Sequence, residues 1–137
     1  MSGAQCNCPL TYLLADLPRC TGKFLYRKGG DIMSPGHPYF SYNPGTNCRW
    51  EVVVEKGQRI RFTLQILDIA NLIDGKCMKE KLEIRGLMQP EPSKVLCGQH
   101  QPQAFTSAGP KAEVLFTTAN SFLTPTERGF WLRFRGE

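Results

Sequence analysis

The sequence has no run of about 18 apolar residues, and no segment has a convincing helical period with caps. A helix that crosses a membrane needs about 20 apolar residues, so this segment is not expected to insert into one. The opening MSGAQCNC lacks the basic and apolar regions of a secretion signal, and its Met-Ser-Gly is interpreted as an artificial leader. Residues 1–19 are expected to form a linker or inter-domain extension, and residues 20–137 a single domain.

Catalytic signatures are missing as well. The motifs G-x-S-x-G, G-D-S-G and H-E-x-x-H do not occur, and the chain has only two histidines, His37 and His100. His37 follows two turn-forming residues and His100 lies in CGQHQPQ, so both are interpreted as surface turn residues. We therefore expect no enzymatic activity and no cofactor.

The six cysteines require either disulfides or a metal site. Zinc sites use closely spaced pairs, often with histidine. Only Cys6 and Cys8 are close together, and neither histidine is near them. The other four are widely spaced: Cys20, Cys48, Cys77 and Cys97. The spacing favours disulfides, which in turn indicate an oxidising, extracellular setting.

Apolar and polar residues alternate with period two in WEVVVE, RIRFTLQI and FWLRFR, at residues 50–55, 59–66 and 130–135. In the second segment the pattern predicts that four residues share the buried face: Ile60, Phe62, Leu64 and Ile66. Turn signals rich in Gly and Pro separate the segments. Many short half-buried strands predict an all-β fold, a two-sheet antiparallel β-sandwich or jelly roll.

Several motifs occur together in a fixed order. Their positions are Cys20, Gly22, Gly30–Pro38 (GDIMSPGHP), Cys48–Val52 (CRWEV), Cys77–Ile84 (CMKEKLEI), Leu96–Gly98 (LCG) and Gly129–Phe134 (GFWLRF). This order resembles the CUB domain family over about residues 20–135. One departure is His37, where the family usually has Tyr. Pro35 and Pro38 cannot donate ladder hydrogen bonds, so their segment is expected to be an edge strand or a turn.

The resemblance implies the pairs Cys20–Cys48 and Cys77–Cys97. In the chain-entropy description, each bridge would stabilise the domain by roughly 3–4 kcal/mol. Cys6 and Cys8 lie outside the family pattern, and a bridge between them across one residue would be strained. Their pairing stays open.

Many CUB domains bind calcium, and the resemblance locates the corresponding positions in this chain. The three positions where the family has carboxylates read Ala70, Glu80 and Ala119. Calcium prefers six to eight oxygen ligands, several of them charged. Lys76 and Lys79 flank the surviving Glu80 and oppose a cation, although Asp68 and Asp74 remain as oxygen donors. We therefore expect a degenerate site that binds no calcium.

The net charge of +5 is spread along the chain, which gives little support to nucleic-acid binding. The candidate ligand surface consists of outward-facing strand residues and a lysine cluster: Arg59, Arg61, Trp131, Arg133, Arg135, Lys76 and Lys79. An aromatic residue among arginines is typical of protein interfaces. Alternatively, the arginines only cover the sheet with their aliphatic stems.

The resemblance and the missing catalytic signatures together favour a non-catalytic, extracellular protein-interaction module. The parent is expected to be a multidomain receptor-associated or secreted protein, as in developmental signalling. Two alternatives stay open. One is a CUB domain that binds glycosaminoglycan or another carbohydrate, and the other is an exosite module of a secreted modular protease.

Overall fold

The structure, a computed structural model, describes residues 20–34, 46–69, 75–78, 80–100, 102–118 and 129–137. These residues form ten strands. Their bounds are β1 Thr21–Leu25, β2 Gly29–Met33, β3 Asn47–Val53, β4 Ile60–Asp68, β5 Glu80–Arg85, β6 Ser93–Leu96, β7 Gln99–His100, β8 Gln103–Thr106, β9 Lys111–Thr118 and β10 Gly129–Gly136. Within the described ranges no helix is long and apolar enough to cross a membrane.

The strands form two five-stranded sheets. The first has the order β1-β3-β9-β5-β6, and the second has the order β2-β10-β4-β7, with β8 also paired to β4. The named pairings are antiparallel except for β1 with β3, which run parallel. The predicted two-sheet β-sandwich is confirmed, and among the pairings of the described strands the parallel pair is the one departure from an antiparallel arrangement.

The core lies between the sheets because alternate residues of each strand point inward. The largest side chains that are fully buried come from both sheets: Phe62, Phe116, Phe130, Ile32, Ile60, Leu64, Leu82, Ile84, Leu132, Val52, Val54 and Val114. Burying one such side chain contributes about 1.5–3 kcal/mol to stability. The inward alternation predicted for the last strand, Phe130, Leu132 and Phe134, is confirmed.

The prediction that Ile66 shares the buried face with Leu64 is wrong. The register between β4 and β10 shifts, so that Leu132 pairs with Leu64 but Trp131 pairs with Ile66. One extra residue, Gln65, is therefore accommodated as a β-bulge, and a bulge reverses the alternation beyond it. Ile66 turns to the outer face, and Leu67, 3% exposed, becomes the buried residue.

Both disulfides implied by the resemblance are present. Cys20 and Cys48 are joined with a Cα–Cα distance of 4.8 Å, and Cys77 and Cys97 with 5.8 Å. The first bridge is part of the core, since Cys48 is completely buried. Cys6 and Cys8, like the whole 1–19 extension, lie outside the described residues.

Strand β2, which precedes the prolines, lies at an edge of the second sheet. Pro35 and Pro38 themselves lie outside the described residues. The edge strand packs closely on its neighbour: a Cβ added at Gly30 would lie 2.9 Å from the Phe134 ring. Any larger residue at this position would force the ring or the strand to shift.

Candidate functional site

The outward surface of β2, β10 and β4 carries the arginines predicted as a ligand surface. We call it the arginine face. Directly paired residues on neighbouring strands share a face. The face therefore has three rows, Met33–Trp131–Ile66, Asp31–Arg133–Thr63 and Gly29–Arg135–Arg61. Its first row is apolar and its last row is cationic.

Asp31 connects the first two rows. Its Oδ1 accepts a hydrogen bond from Trp131 Nε1 at 2.7 Å and another from Arg133 Nε at 3.2 Å. The Arg133 guanidinium also lies over the Trp131 ring, 5.3 Å from its centroid. Cation–π contact and shared hydrogen bonding hold both side chains in one geometry. The arrangement pre-organises an aromatic ring and a cation on the outer face of a central strand.

A groove of about 520 Å³ runs over the polar end of the face. Its lining residues are Lys28, Gly29, Gly30, Asp31, Arg61, Thr63, Arg133, Phe134 and Arg135. A Cβ at Gly29 would lie 2.8 Å from the Phe134 carbonyl oxygen, so no side chain fits there. Four cations and a single carboxylate line the resulting hollow, so the electrostatic potential within it is expected to be positive.

The structure brings most of the predicted surface residues together. Arg61, Trp131, Arg133 and Arg135 share the face. Arg59 precedes β4 and its backbone exchanges two hydrogen bonds with the last residue of the chain. Its guanidinium lies 3.8 Å from the sulfur of Met88, whose amide bonds to β8, so Arg59 leans away from the groove.

Of the two lysines in the predicted cluster, the structure describes only Lys76. Lys76 is exposed and precedes β5, which is a strand of the first sheet. It does not line the groove. Lys79 lies outside the described residues. Sequence reasoning missed Asp31, Lys28 and Ile66. The alternation in GGDIM could have indicated Asp31, but the pairing of β2 with β10 is not visible in the sequence.

Several basic residues on the outer face of the first sheet have carboxylate partners. Three ion pairs lie on it: Lys23 with Glu51, Arg49 with Glu113 and Arg85 with Glu83. The hydrogen bond from Arg85 to Glu83 and the charge of Glu83 raise the pKa of the Arg85 guanidinium. Lys81 on β5 and Lys111 on β9 point to the same outer face, so the basic residues of this face are paired only in part.

The residues at the family's calcium positions do not fit that ion. Two of the three are Ala70 and Ala119, whose methyl groups offer no oxygen, and both lie outside the described residues. Glu80 begins β5 and is 3% exposed. Calcium needs several charged oxygens, which this set does not supply. Calcium independence remains a prediction.

The predicted surface histidines add little to the site. His37 lies outside the described residues. The backbone of His100 belongs to the short strand β7, where it pairs with Leu67. The interpretation of both as non-catalytic therefore rests on the sequence alone.

The comparisons with known proteins agree with the architecture. The CUB domain profile matches residues 20–134. Cubilin of Rattus norvegicus is 34% identical over 124 residues, which covers 88% of this chain and 3% of cubilin. The suppressor of tumorigenicity 14 protein homolog of Bos taurus is 30% identical over 122 residues, covering 86% of this chain and 13% of that protein. The chain thus spans a small part of each relative.

Solved structures show the same fold. The CUB1-EGF-CUB2 domain of human MASP-1/3 is 26% identical with a TM-score of 0.68, covering 84% of this chain and 41% of that one. The MASP-1 CUB2 domain bound to Ca2+ is 24% identical with a TM-score of 0.69, covering 85% of this chain and 99% of that one. With the profile match, the disulfides and the paired sheets, the conclusion is that this chain belongs to the CUB domain family.

Proposed function

We propose that this chain is a non-catalytic, extracellular module of a multidomain protein, and that it binds a protein partner through the arginine face. CUB domains are generally non-catalytic, and the relatives that the chain matches are much longer proteins. Two disulfides inside a small domain are typical of secreted or cell-surface proteins. The absence of catalytic signatures in the sequence supports the same conclusion.

The observation that carries this proposal is the fixed geometry of Trp131. Tryptophan and arginine are the residues most enriched among interface hot spots. Here Asp31 orients both through hydrogen bonds of 2.7 and 3.2 Å. Orienting a side chain before binding lowers the entropy that association must offset. Aliphatic stems that merely cover a sheet would not require such a shared acceptor.

A capture experiment with matched variants tests the proposal. The chain is immobilised and exposed to extracellular fluid or intact cells, and bound proteins are cross-linked and identified by mass spectrometry. The parent is compared with Trp131→Ala and with Lys23→Ala, which changes an exposed residue on the other sheet. We expect proteins that the parent and Lys23→Ala retain and Trp131→Ala loses. Identical retention by all three chains would refute the assignment of the arginine face.

The cationic groove also favours a second candidate, a glycosaminoglycan. Sulfate groups suit arginine recognition, and four cations line the groove. Replacing Arg133 and Arg135 together by Ala should then abolish retention on heparin. Elution of the parent near physiological salt would eliminate this candidate, because a specific complex with heparin must persist when salt screens the charges.

A further inference from the structure

The uncompensated cations of the arginine face specify the chemistry of its partner. On the outer face of the first sheet, the exposed Lys23 and Arg49 each have a carboxylate partner. In the groove, Arg61 has no ion-pair partner among the described residues, and Arg135 has only Glu137, at 3.7 Å with both side chains exposed. Such a solvated ion pair contributes little to stability and is easily broken. The groove therefore presents cations that are available to an incoming anion.

Arg133 keeps part of its binding capacity. Its Nε donates to Asp31, which leaves the outer edge of the guanidinium, with both Nη atoms, for a ligand. A guanidinium binds a carboxylate through two parallel hydrogen bonds. Because Asp31 and the Trp131 ring already orient the guanidinium, binding of a carboxylate costs less side-chain entropy.

The apolar row lies next to these cations. Met33 is 40% exposed, and it pairs with Trp131, which pairs in turn with Ile66. Ile66 reaches this row only because of the bulge at Gln65. The face therefore combines an apolar platform at one end with a cationic groove at the other, on three adjacent strands.

The strand geometry fixes the distances between the rows. Residues two apart on a strand are separated by about 7 Å and residues four apart by about 13 Å. Arg133 and Arg135 follow Trp131 by two and four positions on β10. An extended segment lying along β10 would have the same spacing, so its side chains at alternate positions would meet the three rows in turn.

We propose that the arginine face binds an extended acidic segment of a protein, in which one apolar side chain and two carboxylates are spaced at two-residue intervals. The apolar side chain packs on the Met33–Trp131–Ile66 row, one carboxylate binds Arg133, and the other enters the groove between Arg61 and Arg135. This inference rests on the proposed function, and it adds the chemical class of the partner.

A protein segment fits the face better than a sulfated glycan. The apolar row offers nothing to a sulfate but buries the side chain of an apolar residue. Binding of the glycan alone is therefore an outcome that counts against the inference.

Peptide binding tests the inference directly. The probe is the fluorescently labelled peptide Gly-Ser-Phe-Ser-Asp-Ser-Asp-Ser-Gly. One control peptide has Asn for both Asp residues, and a second has the same composition with the two Asp residues adjacent at one end. Fluorescence anisotropy with the full chain gives the dissociation constants. We expect the spaced acidic peptide to bind at least about tenfold more tightly than either control.

Matched variants separate the groove from general charge. Arg61→Gln with Arg135→Gln should weaken binding of the acidic peptide about tenfold. Lys23→Gln with Arg49→Gln removes the same charge from the other sheet and should leave binding unchanged. Urea unfolding checks that the exposed substitutions leave the fold intact. Arg61→Glu with Arg135→Glu should reverse the preference, toward a peptide with Lys in place of Asp.

Three results would overturn the inference. The first is equal affinity for the Asp and Asn peptides. The second is an equal loss of affinity for the acidic peptide in the two Gln double variants. The third is binding of a heparin-derived oligosaccharide without binding of the acidic peptide. Its failure is distinguishable from failure of the proposed function. If proteins captured from cells depend on Trp131 but not on Arg61 and Arg135, the interaction module stands and the acidic partner is wrong.

Discussion

Substitution of Gly30 by Ala tests the close packing that positions β2 and thereby the arginine face. The new Cβ would lie 2.9 Å from both Cε1 and Cζ of the Phe134 ring. Carbon atoms in contact are normally about 3.5–4.0 Å apart, so the ring or the strand must shift. Phe134 is 3% exposed and its ring lies 5.0 Å from that of Phe24, which leaves little room for movement.

The expected cost is about 1–3 kcal/mol of the free energy of unfolding, as for other overpacked cores. Gly22→Ala is the matched control, because Gly22 also lies in a strand and a Cβ there would meet nothing within 4 Å. That change should be neutral or stabilise the protein by up to about 1 kcal/mol, since it restricts the unfolded chain. Urea unfolding followed by fluorescence measures both differences.

A double-mutant cycle identifies the cause. In a Phe134→Leu background the shorter side chain leaves room for the methyl group, so Gly30→Ala should cost at least about 1 kcal/mol less than in the parent. Equal stability of the Gly30 and Gly22 variants, or an unchanged cost in the Leu background, would show that β2 does not cross Phe134 as described.

Three further predictions concern the core, the bridges and calcium. Ser107 is completely buried, and its Oγ accepts a hydrogen bond from the Ile60 amide at 2.7 Å, so Ser107→Ala should cost about 1–3 kcal/mol in urea unfolding. The exposed Ser93→Ala should cost less than about 0.5 kcal/mol, and equal costs would contradict the assigned bond. Replacing Cys77 and Cys97 by Ala should lower stability by about 3 kcal/mol, and peptide mapping that pairs either with another cysteine would refute the assignment. The midpoint of thermal unfolding should be the same in millimolar calcium and in EDTA, whereas a saturable rise of the midpoint with calcium would reveal a calcium site.

The sequence predicted the sandwich because its strongest signal is local. Alternation along β10 placed Phe130, Leu132 and Phe134 inward, and all three are buried. It could not predict the bulge, since one inserted residue is recognised only from the partner strand. The parallel pairing of β1 with β3 was equally hidden, because it depends on contacts between segments far apart in the sequence.

The arginine face was predictable in part for the same reason. Alternation assigned Trp131, Arg133 and Arg135 to one side of a strand without any knowledge of the neighbours. That Arg61 lies directly opposite Arg135 follows from the pairing of β4 with β10, which no local pattern encodes. Asp31 was missed because its segment was interpreted as an edge or turn, although its carboxylate organises the face.

The bulge at Gln65 connects the core to the arginine face. Without the extra residue, Ile66 would continue the inward alternation of Leu64, and the outer face would have no apolar residue beside Trp131 on this strand. With it, Leu67 supplies the buried side chain opposite Phe130, so the core stays filled while Ile66 turns outward. A single inserted residue thus gives β4 an apolar residue on each face. The outward one is not needed for core packing, which leaves it free to serve a partner.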